Sequence, residues 1–260
     1  MDYSYKTLEL FILPLRTDNY SYIIHDKATR KTLVIDPSET APILSFLKDH
    51  AFALDLIIDT HHHDDHTQGN IELQKAYSAD IAASVYDIGK ERIPGHAARS
   101  LKEGETLGFG AYTFHIINTP GHTLGHMCLF LEGAEWLFSG DTLFALGSGR
   151  LFEGTPSLMW SSFLKLRHLP DTTLVFCGHE YTLSNARFAQ SLPSRTPALD
   201  VYVERQTERK NREGRTIPSR LGDEKLYNPF LRADAPEFAQ AGLSPEDIFG
   251  EIRKRKDNFS

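Results

Sequence analysis

Six consecutive residues of this chain, residues 61–66, have the composition of a metal-binding motif. They read His-His-His-Asp-Asp-His and contain the spacing H-x-H-x-D-H. Histidine is the commonest metal ligand in proteins, and carboxylates bind the same ions. In one short loop, His61 and His63 can face one point while Asp65 and His66 face a neighbouring point. The motif therefore predicts ligands for two adjacent metal ions.

The other histidines of the chain receive a different interpretation. His62 and Asp64 occupy the alternate positions of the motif, and we interpret them as residues that do not bind metal. A single histidine in a loop is usually a surface residue. We expect this for His25, His50, His96, His115, His126 and His168.

Further ligands are needed, because a catalytic zinc ion typically takes three protein ligands and keeps a position for water. His122, Asp141 and His179 each follow directly after a predicted strand, where the loops of one sheet edge converge. Asp141 is the best candidate to bridge two ions, since each carboxylate oxygen can bind one of them.

Two divalent ions about 3.5–4 Å apart can hold a hydroxide and polarise a carbonyl or phosphoryl oxygen. The ligand set therefore predicts a hydrolase. The sequence has no G-x-S-x-G nucleophile motif, no P-loop and no dinucleotide-binding fingerprint that would favour another chemistry.

Strands and helices alternate in the part of the chain that must position these residues. Apolar or alternating runs predict strands over residues 8–13, 20–25, 31–36, 54–59, 111–118, 127–131, 136–139 and 173–177. Helical spacing follows over residues 43–47, 68–77 and 158–169. After Tyr181 only helices are expected, over residues 184–191, 198–212 and 245–256. This change predicts an α/β region up to residue 180 and an α-helical region over 181–260.

Composition excludes several classes of protein. The chain has 28 basic and 35 acidic side chains, a net charge of −7 that disfavours nucleic acid and anionic membrane as partners. No apolar run is long enough for a transmembrane helix. The two cysteines, Cys128 and Cys177, are far apart, which excludes a disulfide framework. We expect a cytoplasmic protein.

The segments THHHDDHTQGN, NTPGHTLGH, FSGDTLF and CGHEYT, in this order, resemble the metallo-β-lactamase superfamily. With GRLFEGTPSLMWSSF, CGHEYTLSN and IRKRKDNF, the whole chain is similar to the glyoxalase II family, the hydroxyacylglutathione hydrolases. The resemblance implies an α/β (α+β) fold: a four-layer αββα metallo-β-lactamase sandwich over residues 1–180, then a small α-helical substrate-binding domain over residues 181–260.

The resemblance also assigns roles to individual residues. It implies one metal held by His61, His63 and His122, a second held by Asp65, His66 and His179, and Asp141 as the bridge. Asp65 and Asp141 are the expected catalytic carboxylates. The family's glutathione contacts map to Arg150, Phe152, Tyr181, Arg253 and Lys256. There are two departures: family members can carry tyrosine where Phe152 stands, and cysteine is common where Ser148 stands.

Arg253 and Lys256 are three residues apart, so on a helix they share a face and could bind the carboxylates of an anionic substrate. A solvated basic end that suits the helix dipole is the alternative from the residues alone.

The function implied is hydrolysis of an S-(2-hydroxyacyl)glutathione thioester, typically S-D-lactoylglutathione, to glutathione and D-lactate, a step of methylglyoxal detoxification. Two divalent ions per chain are expected, zinc foremost, with iron or manganese also compatible with His and Asp ligands. We expect a monomer. The alternatives are a single-iron persulfide dioxygenase of the same superfamily and a non-catalytic metal-bound module, which would have lost one or more ligands.

Overall fold

The computed structural model describes residues 1–259, and the chain divides into two compact units. Unit 1 comprises Met1–Asn118 and Gly125–Ala134, and unit 2 comprises Thr119–Leu124 and the chain from Glu135 onward. Each unit therefore takes a short segment from within the other's stretch of sequence. The boundary that the sequence predicts at residue 180 stays a prediction.

Unit 1 is built on a seven-stranded sheet whose strands lie in sequence order. The strands are β1 (Tyr3–Tyr5), β2 (Leu8–Leu15), β3 (Asn19–Asp26), β4 (Lys31–Ile35), β5 (Leu56–Ile58), β6 (Asp80–Ser84) and β7 (Ala97–Leu101). The pairs from β1 to β4 are antiparallel, and those from β4 to β7 are parallel. The parallel strands end at one edge of the sheet, where loop residues can meet.

Four helices and three further strands complete unit 1. The helices are α1 (Thr40–Asp49), α2 (Asp64–Thr67), α3 (Asn70–Tyr77) and α4 (Val85–Gly89), and a 3₁₀ turn covers Glu132–Ala134. The strands β8 (Thr106–Phe109), β9 (Tyr112–Asn118) and β10 (Met127–Leu131) pair antiparallel. Ile43 and Leu47 of α1 and Leu73 of α3 pack on sheet residues such as Ile23 and Ile57, all fully buried.

Unit 2 contains short strands among five helices. Its strands are β11 (Trp136–Gly140), β12 (Leu143–Phe144), β13 (Gly147–Ser148), β14 (Leu174–Cys177) and β15 (Ser219–Arg220). Its helices are α5 (Pro156–Arg167), α6 (Thr182–Ser191), α7 (Pro197–Glu213), α8 (Leu221–Tyr227) and α9 (Pro245–Asp257), with a 3₁₀ turn at Pro236–Phe238. β11 and β14 are parallel neighbours, whereas β12 pairs antiparallel with β13.

Local signals explain why the longer helices begin where they do. Thr155, Thr196 and Ser244 each accept a hydrogen bond from a backbone N–H of the first turn, and proline occupies the first turn of α5, α7 and α9. Gly214 ends α7 in the left-handed conformation. These signals are local in sequence, so the helices were predictable within a few residues.

The expectation that no strand follows Tyr181 is wrong. β15 pairs antiparallel with β14, with Ser219 opposite Val175 and Arg220 opposite Leu174. Two residues are too few to show an alternating pattern. β6 and β7, which no sequence pattern predicted, pair with each other in parallel, and four of the ten residues in these strands are alanine, a poor strand former.

Two histidines that were expected at the surface are buried. His25 is 8% exposed and its ring stacks on that of Phe52, while His126 is 1% exposed and stacks on His61 at 5.1 Å. The surface interpretation is therefore wrong for His25 and His126. It is confirmed for His50, His96 and His168, and His115 is half-buried.

Both cysteines are buried thiols, Cys128 on β10 and Cys177 at the end of β14. None of the helices within residues 1–259 has the length and apolar character needed to cross a membrane.

Candidate metal centre

Unit 1 presents four of the predicted ligands in one loop and the helix that follows it. β5 ends at Ile58, the chain runs through His61 and His63, and α2 carries Asp65 and His66. His61 and His66 are buried, and their rings lie 4.2 Å apart. The spacing of the motif therefore brings imidazoles together, as expected of metal ligands.

Asp36 orients two of these imidazoles. Its Oδ2 lies 2.9 Å from Nδ1 of His66 and accepts the hydroxyl of Thr60 at 2.7 Å, while its Oδ1 accepts the Thr60 N–H at 2.7 Å. Because the Thr60 hydroxyl donates to Asp36, its oxygen accepts from Nδ1 of His61 at 3.1 Å. Both rings then carry their proton on Nδ1, which leaves the Nε2 lone pair for a metal ion.

Sequence reasoning missed Asp36. A signal was available, because Asp36 is the last residue of a predicted strand, close to the strand-end positions of the predicted ligands. One nitrogen or oxygen from each of Asp36, His61 and His66 lies within 4.8 Å of the others. Its oxygens are nevertheless engaged by Thr60 and His66, so Asp36 holds two of the predicted ligands in place.

The turn between β2 and β3 supports the same loop. Asn19 donates through Nδ2 to the backbone oxygen and to Oδ2 of Asp65, both at 3.0 Å. Oδ2 of Asp65 also lies 3.6 Å from Nε2 of His66. Fixing a ligating carboxylate by a second hydrogen bond is a common feature of metal sites.

His62 and Asp64, the two motif residues that are not predicted ligands, have other polar neighbours. The side chain of Asp64 is 81% exposed and lies 3.4 Å from Arg16, and Nδ1 of His62 lies 3.3 Å from Oδ1 of the buried Asp87. Their exclusion from the ligand set stays a prediction.

Unit 2 brings together the other three predicted ligands, His122, Asp141 and His179, which are all buried. Oδ2 of Asp141 lies 3.5 Å from Nε2 of His122 and 3.3 Å from Nε2 of His179. Nδ1 of His122 donates to the carbonyl oxygen of Arg150 at 2.9 Å. A neutral His122 therefore points a lone pair at a carboxylate, an arrangement that requires a positive charge between the two, from a proton or a metal ion. This donor set fits a divalent cation.

Strand ends place these ligands. Asp141 follows β11 and His179 follows β14, its parallel neighbour, and Gly178 donates to the carbonyl oxygen of Gly140 at 2.8 Å. A Cβ added at Gly149 would lie 1.9 Å from the carbonyl oxygen of Asp141 and 3.2 Å from Nδ1 of His122. Only glycine allows this approach of the backbone to the ligands.

A pocket of about 480 Å³ in unit 2 contains His122 and Asp141 among its lining residues. All five residues that the resemblance assigns to glutathione also line it: Arg150, Phe152, Tyr181, Arg253 and Lys256. Through these five residues the pocket joins candidate metal ligands to three cationic and two aromatic side chains.

Arg253 is the most constrained of the cations. It donates through Nη1 to the carbonyl oxygen of Ser148 at 2.7 Å, and through Nε and Nη2 to Oδ1 of Asp257 at 3.2 and 2.9 Å. It is 5% exposed, and burial lowers the pKa of its guanidinium. Arg253 therefore braces the pocket wall in addition to any contact with a ligand.

Lys256 and Arg150 are more accessible. Lys256 Nζ donates to the hydroxyl and carbonyl oxygens of Ser184 at 3.2 and 3.3 Å. Burial, followed by the positive charges of Arg253, Arg187 and Arg150, lowers the pKa of Lys256 to about 8. Nε of Arg150 lies 3.6 Å from Oδ1 of Asp257, and its side chain is 64% exposed.

The two aromatic residues contact the predicted ligands. The Tyr181 ring is parallel to that of His179 at 4.8 Å. The Phe152 ring meets His122 edge-on at 5.2 Å, although Phe152 is 63% exposed. Each of these two pocket-lining rings therefore lies beside a predicted ligand.

Two family models match the chain. The model of the metallo-β-lactamase superfamily matches residues 16–179, and that of the hydroxyacylglutathione hydrolase C-terminus matches residues 180–259. Among curated relatives, a hydroxyacylglutathione hydrolase of Bartonella quintana is 45% identical, over 97% of this chain and 99% of the relative. One of Methylococcus capsulatus is 44% identical, with the same coverage.

Solved structures show the same fold. ETHE1 from Myxococcus xanthus gives a TM-score of 0.68 at 25% identity, covering 95% of this chain and 91% of its own. The BLEG-1 B3 metallo-β-lactamase gives 0.64 at 22% identity, over 86% and 99%. TTHA1623 in a di-iron-bound form gives 0.58 at 26% identity, over 65% and 91%. The fold class expected from the sequence, a metallo-β-lactamase fold with mixed α/β sheets and a helical C-terminal region, is confirmed.

Proposed function

The chain belongs to the hydroxyacylglutathione hydrolase family of the metallo-β-lactamase superfamily, and we propose that it hydrolyses S-D-lactoylglutathione to glutathione and D-lactate. The relatives, 42–45% identical over nearly the full chain, support a thioester hydrolase. They do not favour the persulfide dioxygenase or a non-catalytic module. The observation that carries the proposal is the pocket, which joins His122 and Asp141 to Arg150 and Lys256.

The proposed metal ligands follow the family pattern. We propose that His61, His63 and His122 hold one ion, that Asp65, His66 and His179 hold the second, and that Asp141 bridges them. Support comes from the Nδ1 hydrogen bonds of His61, His66 and His122, which keep each Nε2 available. The di-iron form of TTHA1623 supports a pair of ions. Zinc, iron and manganese all suit these ligands.

Bound at these residues, the ions would supply a hydroxide at neutral pH and a Lewis acid for the thioester carbonyl. The chain's own part is to hold the ligands. Asp36 keeps the proton of His66 on Nδ1 directly and that of His61 through Thr60, and the Arg150 carbonyl does the same for His122. No side chain needs to protonate the leaving group, because a thiol with a pKa near 8.5 departs readily as a thiolate.

Substrate binding falls to the cationic side of the pocket. Arg150 and Lys256 carry the accessible positive charges, and glutathione carries two carboxylates that they would bind. Arg253 donates a hydrogen bond to the Ser148 carbonyl in the pocket wall. Phe152 and Tyr181 provide apolar surface beside the reacting group. We further propose that the protein works as a cytoplasmic monomer in methylglyoxal detoxification, without nucleic acid or membrane partners.

The test is release of thiol from S-D-lactoylglutathione by protein whose metal content has been measured. We expect two metal ions per chain and rapid hydrolysis. His63→Asn should lose most activity and metal, whereas the matched variant His62→Asn, one residue away and predicted not to bind metal, should stay near wild type. Equal losses from both variants would contradict the ligand assignment, and wild-type protein without thiol release would contradict the function.

A further inference from the structure

A tight turn between β12 and β13 has a strained backbone. Leu146 has a φ of 57°, in the left-handed region that residues with a Cβ rarely adopt, and it is fully buried. Such a conformation costs free energy and persists only where the surroundings hold it. The contacts that hold this turn are therefore informative.

Side chains from two helices bind the polar backbone atoms of residues 144–147. Glu224 of α8 accepts the Leu146 N–H through Oε2 at 2.7 Å. Asn228, just after α8, donates through Nδ2 to the carbonyl oxygens of Phe144 and Gly147 at 3.1 and 3.0 Å. Asn185 of α6 donates to the carbonyl oxygen of Ala145 at 3.1 Å.

Glu224 is central to these hydrogen bonds. It is fully buried, and the same Oε2 accepts from Asn228 Nδ2 at 3.0 Å. Burial raises the pKa of Glu224 to about 7, and hydrogen bonds from Leu146, Ser219 and Asn228 oppose the increase. A carboxyl group is rarely buried unless it has such partners. The proposed hydrolysis gives Glu224 no role as a metal ligand or a glutathione contact.

The turn leads directly into the wall of the pocket. Residues 148–150 follow it, and all three line the pocket. The Ser148 carbonyl accepts from Arg253, the Gly149 N–H donates to the Thr142 carbonyl at 3.0 Å, and the Arg150 carbonyl accepts from His122. Movement of the turn would displace this segment.

We propose that Glu224 is a positioning residue for the substrate pocket: with Asn228 it holds the left-handed turn and so fixes residues 148–150 and the Arg150 side chain that they carry. The main effect falls on substrate binding, because Asp141 has a separate anchor in the paired strands β11 and β14. The hydrogen bond from His122 to the Arg150 carbonyl adds only a smaller loss of metal. The kinetic part of this inference rests on the proposed function.

The experiment compares Glu224→Ala, Glu224→Gln and a matched control, Asp223→Asn. The control removes a carboxylate from the same helix and leaves the hydrogen bonds to residues 144–147 intact. Glu224→Ala should raise KM for S-D-lactoylglutathione about tenfold, with kcat and metal content little changed. This is the effect of losing roughly one hydrogen bond between the displaced Arg150 and a carboxylate of the substrate. Glu224→Gln should restore most of the loss, because its amide oxygen can still accept the Leu146 N–H. Asp223→Asn should match wild type.

A second variant guards against failure of Glu224→Ala to fold. In the structure the Phe230 N–H donates to Oδ1 of Asn228 at 3.0 Å, and Asn228→Asp keeps this acceptor. The variant loses the amide N–H groups that donate to the carbonyl oxygens of Phe144 and Gly147. It should raise KM in the same way. Amide hydrogen exchange at Leu146 gives a readout independent of activity, and it should be faster in Glu224→Ala than in Asp223→Asn.

The outcomes separate the two hypotheses. A wild-type KM and unchanged Leu146 exchange in Glu224→Ala or Asn228→Asp, even with a lower melting temperature, would overturn the positioning role. A loss confined to kcat or to metal content would overturn it as well. If the wild-type protein released no thiol, the proposed function would fail, and the exchange of Leu146 would still decide whether Glu224 holds the turn.

Discussion

Individual residues of α9 differ in what they offer to a substrate. The family resemblance assigns Arg253 to glutathione binding together with Lys256, and this stays a prediction. The structure adds that its guanidinium donates to Ser148 and Asp257. Such use of a buried cation depends on partners far away in sequence, and spacing cannot reveal it. The same holds for Asp36, whose role comes from Thr60 and His66, 24 and 30 positions along the chain. The seven predicted ligands were accessible to sequence reasoning because their residue types and strand-end positions are local.

Lys256 should make substrate binding depend on pH. Its pKa of about 8 lies below the usual value for lysine, so the ammonium form, which attracts the carboxylates of the substrate, is lost as pH rises through about 8. KM for S-D-lactoylglutathione should be flat below pH 7 and rise above pH 8. Steady-state kinetics from about pH 6 to pH 9 measure it. Lys256→Met should remove this rise and have a high KM throughout.

The exposed Lys254 of the same helix provides the control. Lys254→Met lowers the charge of α9 equally, and its KM profile should keep the wild-type shape. A rise in KM that persisted unchanged in Lys256→Met would show that another group is responsible.

Elements of secondary structure were predictable where their signals are short in range. The capped helices and the strongly apolar strands were found from the sequence, and so was the contrast between the strand-rich first part and the helical tail. β15 and the pairing of β6 with β7 were not, because their formation depends on a neighbour that supplies hydrogen bonds. The approach of the segment after β13 to Asp141 is likewise a matter of tertiary contact.

The close approach of Gly149 to Asp141 predicts the effect of adding one methyl group at Gly149. In Gly149→Ala the Cβ would overlap the Asp141 carbonyl oxygen, so the backbone next to a proposed bridging ligand must move. A displacement on the order of 1 Å near the reacting atoms can lower activity about a hundredfold. We expect a loss of this size together with lower metal content, measured by thiol release and elemental analysis.

Gly89→Ala is the matched control. Apart from its chain neighbours and the backbone of its own helix, no described atom lies within 4 Å of a Cβ built at Gly89. This variant should keep wild-type activity and metal content. Full activity in Gly149→Ala would mean that the segment tolerates displacement and does not fix Asp141.

At the level of the whole molecule, the sequence identified the family and the fold class, which the family models and relatives confirm. The two compact units could not be read from the sequence, because each takes a segment from within the other's stretch of sequence, and the domain boundary predicted at residue 180 stays a prediction. Residues 119–124, which carry His122, belong to unit 2 although unit 1 residues flank them on both sides. The residue types along the sequence give no signal that a segment belongs to a unit other than that of its flanking residues.

Metal ions bound at the proposed ligands should stabilise the folded protein. A ligand that binds only the folded state stabilises it by about 2.7 kcal/mol at a hundred times its dissociation constant. Removal of metal by a chelator should therefore lower the melting temperature by several degrees, and added zinc should restore it. Differential scanning calorimetry on protein of known metal content measures this. An unchanged melting temperature after complete removal would contradict it.

The burial of Cys128 and Cys177 matters for an enzyme whose proposed product is a thiol. Glutathione, and the glutathione disulfide formed from it, exchange with protein sulfur through an accessible thiolate to give mixed disulfides. Both residues are at most 1% exposed, so neither thiol lies where these molecules can reach it, and burial also raises the pKa of Cys177. The protein can therefore release glutathione at its own surface through many turnovers without S-glutathionylation, and its activity should withstand oxidative conditions that inactivate enzymes with exposed cysteines.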